Sequence, residues 1–504
     1  AALTRPIIIH EDEPYKSIET NIIGTSNVVS HGPVGGAQAA GVNARTTGSL
    51  GAVLKEEWSD EVTSQFNNEA NLFALLDEAA EDELWQGEYY VEPLHTGRNR
   101  AGGPGAETHD YPTPGQQSWN QMQIGTSFYR TSGQITSKAM LAAERGEASA
   151  IRSLTTDIKG GLRDLIQEVN VDFYGTRVGV LGCLSAPLAA VGDADDVTKG
   201  FKVSDTFGGA NDNRLWETHG TTKLSGGRSM RVAIGTLAED TGIFTGVNLL
   251  TVDAIQSRTQ FTIAEGGEAD AVGSIGDVIL RVPSTSAALA ADFAALNKWN
   301  FKAEPLALQG LDELIDDGTT MPAFIDADYF NIDRAANSQL DSLVKNLGAV
   351  PTEKILQQVL DAVAESSGET PDCMLMHRGV RTEIVDQFTG DRRFVPQEFP
   401  GGWKGQALVY NPGDGDVHIY VDRHCFPNSI FMINKNYLKR YTLSGAHLVD
   451  YDGSSLRQSG SGPVWQWNIE AYFNMACTKP NTCAKLVNVT GDPTFGIAGF
   501  NPEF

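Results

Sequence analysis

The sequence predicts a mixed α+β protein that holds out extended elements instead of closing wholly on itself. Three observations carry that reading. A pair of strand-like runs is separated by a long Gly/Pro-rich tip, a long helical period follows at once, and helices alternate with strands in the last third. The 504 residues correspond to about three domains. Hydrophobic residues make up 41% and charged residues 20%, which excludes a disordered chain, a collagen and a disulfide-dense miniature scaffold. That composition leaves ample material for a core.

Residues 24–52 are rich in Gly, Ala, Ser, Thr and Asn, including Gly32-Pro33-Val34-Gly35-Gly36, and predict an extended arm or mobile leader. Leu50, Leu54, Trp58, Val62 and Phe66 recur every four residues and predict a helix. Leu72, Phe73, Leu75 and Leu76 continue an apolar patch up to the acidic run that begins at Glu78. Strand patterning follows over residues 88–92 and again from Trp119 to Ile135, where Met122, Ile124 and Phe128 fall at even spacing on one face. Between them lies a polar tip, residues 96–118, punctuated by Gly102, Gly103, Pro104, Gly105, Pro112, Pro114 and Gly115. An isolated two-stranded arm is marginal in water. It needs another surface, and a neighbouring subunit is one candidate.

Ile151, Leu154, Ile158, Leu162, Leu165 and Val169 are spaced 3, 4, 4, 3 and 4 apart, the period of one helix face. Including the Ala-rich start near Ser137, the helix is expected to reach residue 175, a rod of roughly 55–60 Å. Gly160 and Gly161 within it cost about 1 kcal/mol each relative to Ala and predict a bend. Residues 184–229 read as irregular. Met230 to Ile234, Leu249 to Ile255, Gln260 to Ile263 and Val278 to Val282 read as short strands. Pro351 to Ser367 reads as a helix with Ile355, Val359, Leu360 and Val363 inward, Pro351 in its first turn and Gly368 at its exit. Cys373 to Met376 is a buried strand. Val380, Ile384, Val385 and Phe388 mark a second helix, stopped by Gly390. Leu408 to Tyr410, Val417 to Val421 and Ile430 to Ile433 are strands.

Signatures of chemistry are missing. There is no phosphate-cradling G-x-x-x-x-G-K-[ST], no G-x-S-x-G elbow and no H-E-x-x-H pair, so no catalytic, cofactor-binding or metal-binding residue is assigned. Asp422, His424 and Cys425 are close in sequence, but neighbours on a strand point to opposite faces and are poorly placed to share a proton. The acidic turns 193–196 and 414–416 lack the closing Glu of a twelve-residue calcium loop and read as solvated turns. The five cysteines, Cys183, Cys373, Cys425, Cys477 and Cys483, have irregular spacing and are expected as reduced, buried thiols of a protein made in cytoplasm. No run is long enough to span a bilayer, so no membrane partner is expected. The chain begins with Ala1, from which removal of an initiator Met or a longer leader is expected. Lys plus Arg is 38 and Asp plus Glu is 64, so the net charge is 38 − 64 = −26, which argues against tight binding to a phosphate backbone.

An arm, a long hairpin and a long helix in that order suit a protein that tiles. Several runs point the same way. They are Gln309-Gly310-Leu311-Asp312-Glu313-Leu314-Ile315-Asp316-Asp317 with Gly318, then Ile332-Asp333-Arg334, Pro371 to His377, Val421-Asp422-Arg423 with Ile430 to Ile433, and Asn474 with Cys477 to Asn481. In their order they resemble the major capsid proteins of tailed bacteriophages, which share the Hong Kong 97-type fold.

The resemblance implies an N-terminal arm over residues 1–48, a helical region over 49–83 and an E-loop hairpin over 84–136. A peripheral domain would cover 137–306, holding the spine helix and a β-rich insertion, followed by an axial domain over 307–440 and a return to the peripheral domain over 441–504. It implies a non-enzymatic shell subunit without cofactor that forms hexamers and pentamers of an icosahedral head. The implied partners are portal, scaffolding and cement or decoration proteins, with packaged double-stranded DNA held weakly and without sequence specificity. The implied place is the virion, after assembly in the host cytoplasm. No lysine lies between Lys55 and Lys138, so an E-loop lysine cross-link of the kind some relatives make is not expected. Arg98, Arg100 and Glu107 at the tip are expected to meet charges on an adjacent subunit. Trp119, Met122 and Phe128 are expected to pack the hairpin on a neighbour or on its own base. Ile7, Ile8 and Ile9 are expected to dock the arm on another subunit as an added strand. Two alternatives stand beside this reading: a nanocompartment shell of the same fold around protein cargo, and a calcium-dependent β-rich extracellular hydrolase or adhesin.

Overall fold

The computed structural model describes residues 71–76, 85–86, 89–104, 107, 110, 113–138, 149–190, 199–203, 224, 231–238, 240–257, 260–263, 274–282, 298–389, 408–410, 417–450, 456–458 and 462–491. The expected arm, the helix over 50–66 and both acidic turns lie outside these residues.

The first described element is a short helix, α1 (Asn71–Leu75), whose Leu72 and the following Leu76 are buried. Strands β1 (Trp85–Gln86), β2 (Tyr89–Gly97) and β3 (Ser118–Gly125) form a three-stranded sheet. The second hairpin strand does not continue to residue 135 as one element. It breaks at Thr126, and β4 (Ser127–Thr136) joins a different sheet. The physical reason is a change of parity. Met122 and Ile124 face inward before the break, Ser127 and Tyr129 after it. A period of two cannot place both sets inside without an extra residue between them. Phe128 is thereby turned outward, 41% exposed and stacked on Tyr472 at 4.8 Å between ring centroids.

Helix α2 (Ser149–Asp172) follows. Its 24 described residues correspond to a length of about 36 Å, and residues 139–148, through which the expected rod would run, lie outside the description. A bend was expected at Gly160 and Gly161. The helix passes through both, and at Gly161 the reason for glycine is close packing. A Cβ there would stand 2.6 Å from the Trp467 ring, and one on Gly133 of β4 would stand 2.4 Å from it on another strand. The buried indole is lodged against both glycines and donates its N–H to Asp157 at 3.0 Å.

Residues 184–229, expected to be irregular, contribute two strands. β5 (Val180–Ala190) and β6 (Lys199–Val203) close a barrel with β7 (Arg231–Leu237), β8 (Phe244–Ser257), β9 (Gln260–Ile263) and β10 (Val278–Val282) in the order β10-β5-β6-β9-β8-β7. Gly, Ala and Pro in these two strands obscured the period that the other four display. Alternate residues of β7 serve two cores. Val232 and Ile234 join Leu250, Phe261 and Ile279, while Ala233 and Leu237 join Phe301, Met321, Phe324 and Ile325 of the following segment.

After two-residue strands β11 (Asp328–Tyr329) and β12 (Ile332–Asp333) comes β13 (Leu343–Asn346). Helix α3 (Glu353–Ser367) begins two residues beyond Pro351, with Thr352 as its N-cap, and ends at Gly368, whose φ of +78° is the left-handed conformation glycine adopts without penalty. Its inward residues are Leu356, Val359, Leu360 and Val363. Ile355, expected inward, is only partly buried, and Leu356 takes the inward place in the first turn. Strand β14 (Cys373–Met376), helix α4 (Arg378–Thr389), β15 (Leu408–Tyr410), β16 (Val417–Val421) and β17 (Ile430–Ile433) follow as expected. β18 (Leu438–Leu448), β19 (Arg457–Gln458), β20 (Val464–Cys477) and β21 (Ala484–Val487) are the last described strands.

Two sheets organise this part. One is six-stranded, in the order β13-β21-β17-β14-β16-β15. Strand β21, from the segment expected to return to the peripheral domain, pairs inside it beside β13 and β17. The sheet is apolar on both faces, so β14 and β17 read as unbroken apolar runs. Met374 and Met376 meet α3 and α4, whereas Cys373 and Leu375 meet the aromatic core on the other side. The other sheet is built on β20, flanked by β4 on one side and by β18 and β19 on the other. Helix α2 covers its Trp467 face.

Candidate assembly surface

The β2–β3 hairpin has two unlike faces, as period-two alternation requires. Tyr90, Thr96, Met122 and Ile124 turn toward the body. Tyr89, Pro93, His95 and Trp119 turn away from it. Trp119 is 60% exposed, with the cross-strand His95 ring 4.8 Å away. The neck of the tip is held by Asn99, which donates to the Gly115 carbonyl at 3.0 Å and accepts from the Ala101 amide at 2.9 Å.

The inward face is seated on the chain's own residues 329–339 and on β18. Gln123 donates its amide to the Phe330 carbonyl at 3.2 Å. Asn120 reaches Asn337 at 3.4 Å, Asn331 reaches Gln123 at 3.4 Å, and Gln339 donates to the Thr96 carbonyl. Tyr441 donates to Glu92 at 2.7 Å and lies against Tyr90.

The seat is anchored in turn by a buried ionic joint, built from the run Gln309 to Gly318. Asp312, Glu313 and Asp316 are all buried. Lys485 of β21, with 0% exposure, donates to the Asp312 carbonyl and carboxylate at 2.9 Å each and to Asp316 at 3.4 Å. Arg334, next to β12, stacks on Tyr329 at 5.0 Å and reaches the Glu313 and Asp316 carbonyls at 3.4 and 3.3 Å. Arg177, just past α2, donates its Nε to Glu313 at 2.7 Å, and Gln309 donates to the same oxygen at 3.0 Å. The helix, the six-stranded sheet and the hairpin seat therefore meet at one cluster of charges, whose bonds burial makes costly to leave unmade.

Burial raises the Asp312 carboxyl to about 6, outweighing the attraction of Lys485. Burial and the adjacent Asp316 carboxylate raise Asp326 to about 9, so at neutral pH it keeps a proton. A carboxyl whose folded pKa lies above its unfolded value adds stability that is complete below the unfolded pKa and is lost as pH rises through the folded one. We expect the joint's contribution to fall between about pH 4 and pH 6 through Asp312. Urea midpoints of the parent and of Asp312→Asn should converge at acid pH and separate toward pH 7; parallel profiles would refute the assignment.

Of the sequence-predicted contacts, Arg98, Arg100 and Glu107 are exposed at the tip, and Trp119 and Phe128 are exposed on separate sheets. Met122 has no exposure and packs in the chain's own core. Ile7, Ile8 and Ile9 lie outside the described residues. Arg177, Asp326 and Lys485 were missed; a lysine in the otherwise apolar Ala484–Val487 was the available signal for the last. Asp422 caps backbone and polar groups around it instead of serving Cys425. Among the described residues no cluster of three or more His, Cys, Asp or Glu is arranged to hold a metal ion, and no helix is long and apolar enough to cross a membrane.

No protein-family model and no curated protein matches the chain. Solved structures do. The Cyanophage A-1(L) capsid asymmetric unit matches with a TM-score of 0.48 at 8% identity, over 87% of this chain and 98% of that one. The capsid of a native GTA particle matches at 0.42 and 8%, over 89% and 100%. The holo-SrpI encapsulin complex from Synechococcus elongatus matches at 0.39 and 8%, over 89% and 96%. The chain is thus similar, over most of its length and at low identity, to structures of phage-type capsids and of an encapsulin shell.

Proposed function

We propose that this chain is the major capsid protein of a tailed bacteriophage, with a Hong Kong 97-type fold, and that it assembles as hexamers and pentamers of an icosahedral head around double-stranded DNA. The observation that carries the reading is the hairpin. It is seated at its base on its own chain and offers Trp119, 60% exposed, on the far face, with Arg98, Arg100 and Glu107 at its tip. Directly after it come β4 and α2, and α2 stands where the reading puts the spine helix. The β20 sheet with α2 fits the peripheral domain, the six-stranded sheet with α3 and α4 the axial domain, and the barrel the β-rich insertion. The subunit is a structural, non-enzymatic part of the virion, assembled in the host cytoplasm. Its partners are its own copies, portal and scaffolding proteins, and a cement or decoration protein that substitutes for the missing E-loop lysine. Trp119, Phe128, Arg98, Arg100 and Glu107 meet neighbouring subunits, and Ile7, Ile8 and Ile9 extend the arm onto another. The charge of −26 supports weak, non-specific contact with the packaged DNA.

Electron microscopy of the expressed full-length chain tests this reading. Closed shells are expected, and deletion of residues 96–118 should abolish them while leaving the circular-dichroism spectrum of the subunit unchanged. A solitary monomer at high concentration would overturn it, and normal shells from the deletion variant would mean that the tip is not an assembly contact. Protein cargo in place of nucleic acid inside native particles would favour the nanocompartment.

A further inference from the structure

The backbone amides at the start of α1 are held by side chains from far along the sequence. Leu72 donates to Asp422 Oδ2 at 3.3 Å, and Phe73 donates to Asn170 Oδ1 at 3.1 Å. Asn170 closes the circuit by donating its own Nδ2 to the same Asp422 oxygen at 3.1 Å, and the Tyr174 hydroxyl donates to it at 3.2 Å. The other Asp422 oxygen accepts from the His424 amide at 2.8 Å. Leu72, Asn170, Tyr174 and Asp422 have no solvent exposure. Phe73 is gripped on its ring by Phe173, 6.0 Å away between centroids, and by the Arg440 guanidinium at 4.6 Å.

This seat is composite. Asn170 belongs to α2, Tyr174 follows it, Asp422 follows β16 of the six-stranded sheet, and Arg440 lies on β18 of the other sheet. A five-residue helix has no stability of its own in water. It cannot form before its seat, and its seat does not exist until the helix and both sheets have come together.

We propose that residues 71–76 are a strap that docks last, on the completed body, with Asp422 and Asn170 as its catch. The strap fastens the joint between α2 and the two sheets, and it can open without unfolding them, because the seat's own Asn170–Asp422–Tyr174 bonds remain when it leaves. The inference does not depend on the capsid reading.

Native-state hydrogen exchange on the full chain tests it. In the parent protein the Leu72 and Phe73 amides should exchange through a local opening with little dependence on urea, whereas the Val359 and Leu360 amides of α3 exchange through global unfolding. Phe73→Ala, which leaves the buried polar circuit intact, should speed exchange at 72 and 73 by about tenfold, and α3 by no more than the same factor, because global unfolding includes loss of the strap. Leu360→Ala, which weakens α3 in a core separate from that of Leu72, should speed exchange in α3 by more than about tenfold and leave 72 and 73 unchanged. If Leu72 and Phe73 share the rate and urea slope of α3 in the parent, or if Leu360→Ala accelerates strap and α3 by one factor, the strap is an inseparable part of the core and the proposal fails.

Discussion

Replacing Lys485 by Met should destabilise the subunit by about 3–5 kcal/mol, the cost of leaving buried carboxylates without their cation. The ammonium is fully enclosed, within 2.9 Å of Asp312 and 3.4 Å of Asp316. Methionine is close in shape, so the loss is electrostatic and not a cavity. The consequence is separable by a second change. Asp312→Asn in the Lys485→Met background should recover part of the loss, since it removes the charge left without a cation, whereas Asp316 keeps Arg334 at 3.5 Å. Urea denaturation at pH 7, with an unchanged slope, is the measurement. A shift in stability below about 1 kcal/mol for the single variant would mean that the joint is already neutralised by protons and that Lys485 is not its keystone.

Trp467→Ala should cost about 3–5 kcal/mol by emptying the site between β20, β4 and α2. The sharper expectation concerns the two glycines that face the ring. In the parent protein, Gly161→Ala and Gly133→Ala each drive a methyl to 2.6 and 2.4 Å of the indole and should destabilise by about 1–3 kcal/mol. With Trp467 replaced by Ala, the collision is gone. Gly161→Ala should then stabilise by about 1 kcal/mol, the ordinary helix preference for alanine. A change of sign in that double-mutant cycle identifies close packing as the reason for glycine in α2. Additive effects would point instead to a backbone requirement.

Much of the candidate surface was legible because it is local. The Gly/Pro-rich tip, the flanking β patterning and the helical period after them located the hairpin and the following helix. The buried strands Cys373–Met376 and Ile430–Ile433 were legible as apolar runs, and Gly368 as a helix exit. Phe128 was misjudged because its side follows from a one-residue parity change at Thr126, which a run of strand-forming residues does not advertise. Strands β5 and β6 were hidden because they hold their shape by pairing in a closed barrel and not by their own propensity.

The sequence by itself determined which segments could be helix or strand, where turns fall, and that one ribbon would be too long to stand alone. Those properties follow from spacing and composition within some twenty residues, and hydrophobic burial enforces them wherever the segment ends up. Only the tertiary structure decided that β21 enters the six-stranded sheet, that Lys485 neutralises Asp312, and that Asp422 catches Leu72 from 350 residues away. Charges and hydrogen bonds act over a few ångströms, so their partners are chosen by the packing that brings distant segments together, after the local elements have been formed.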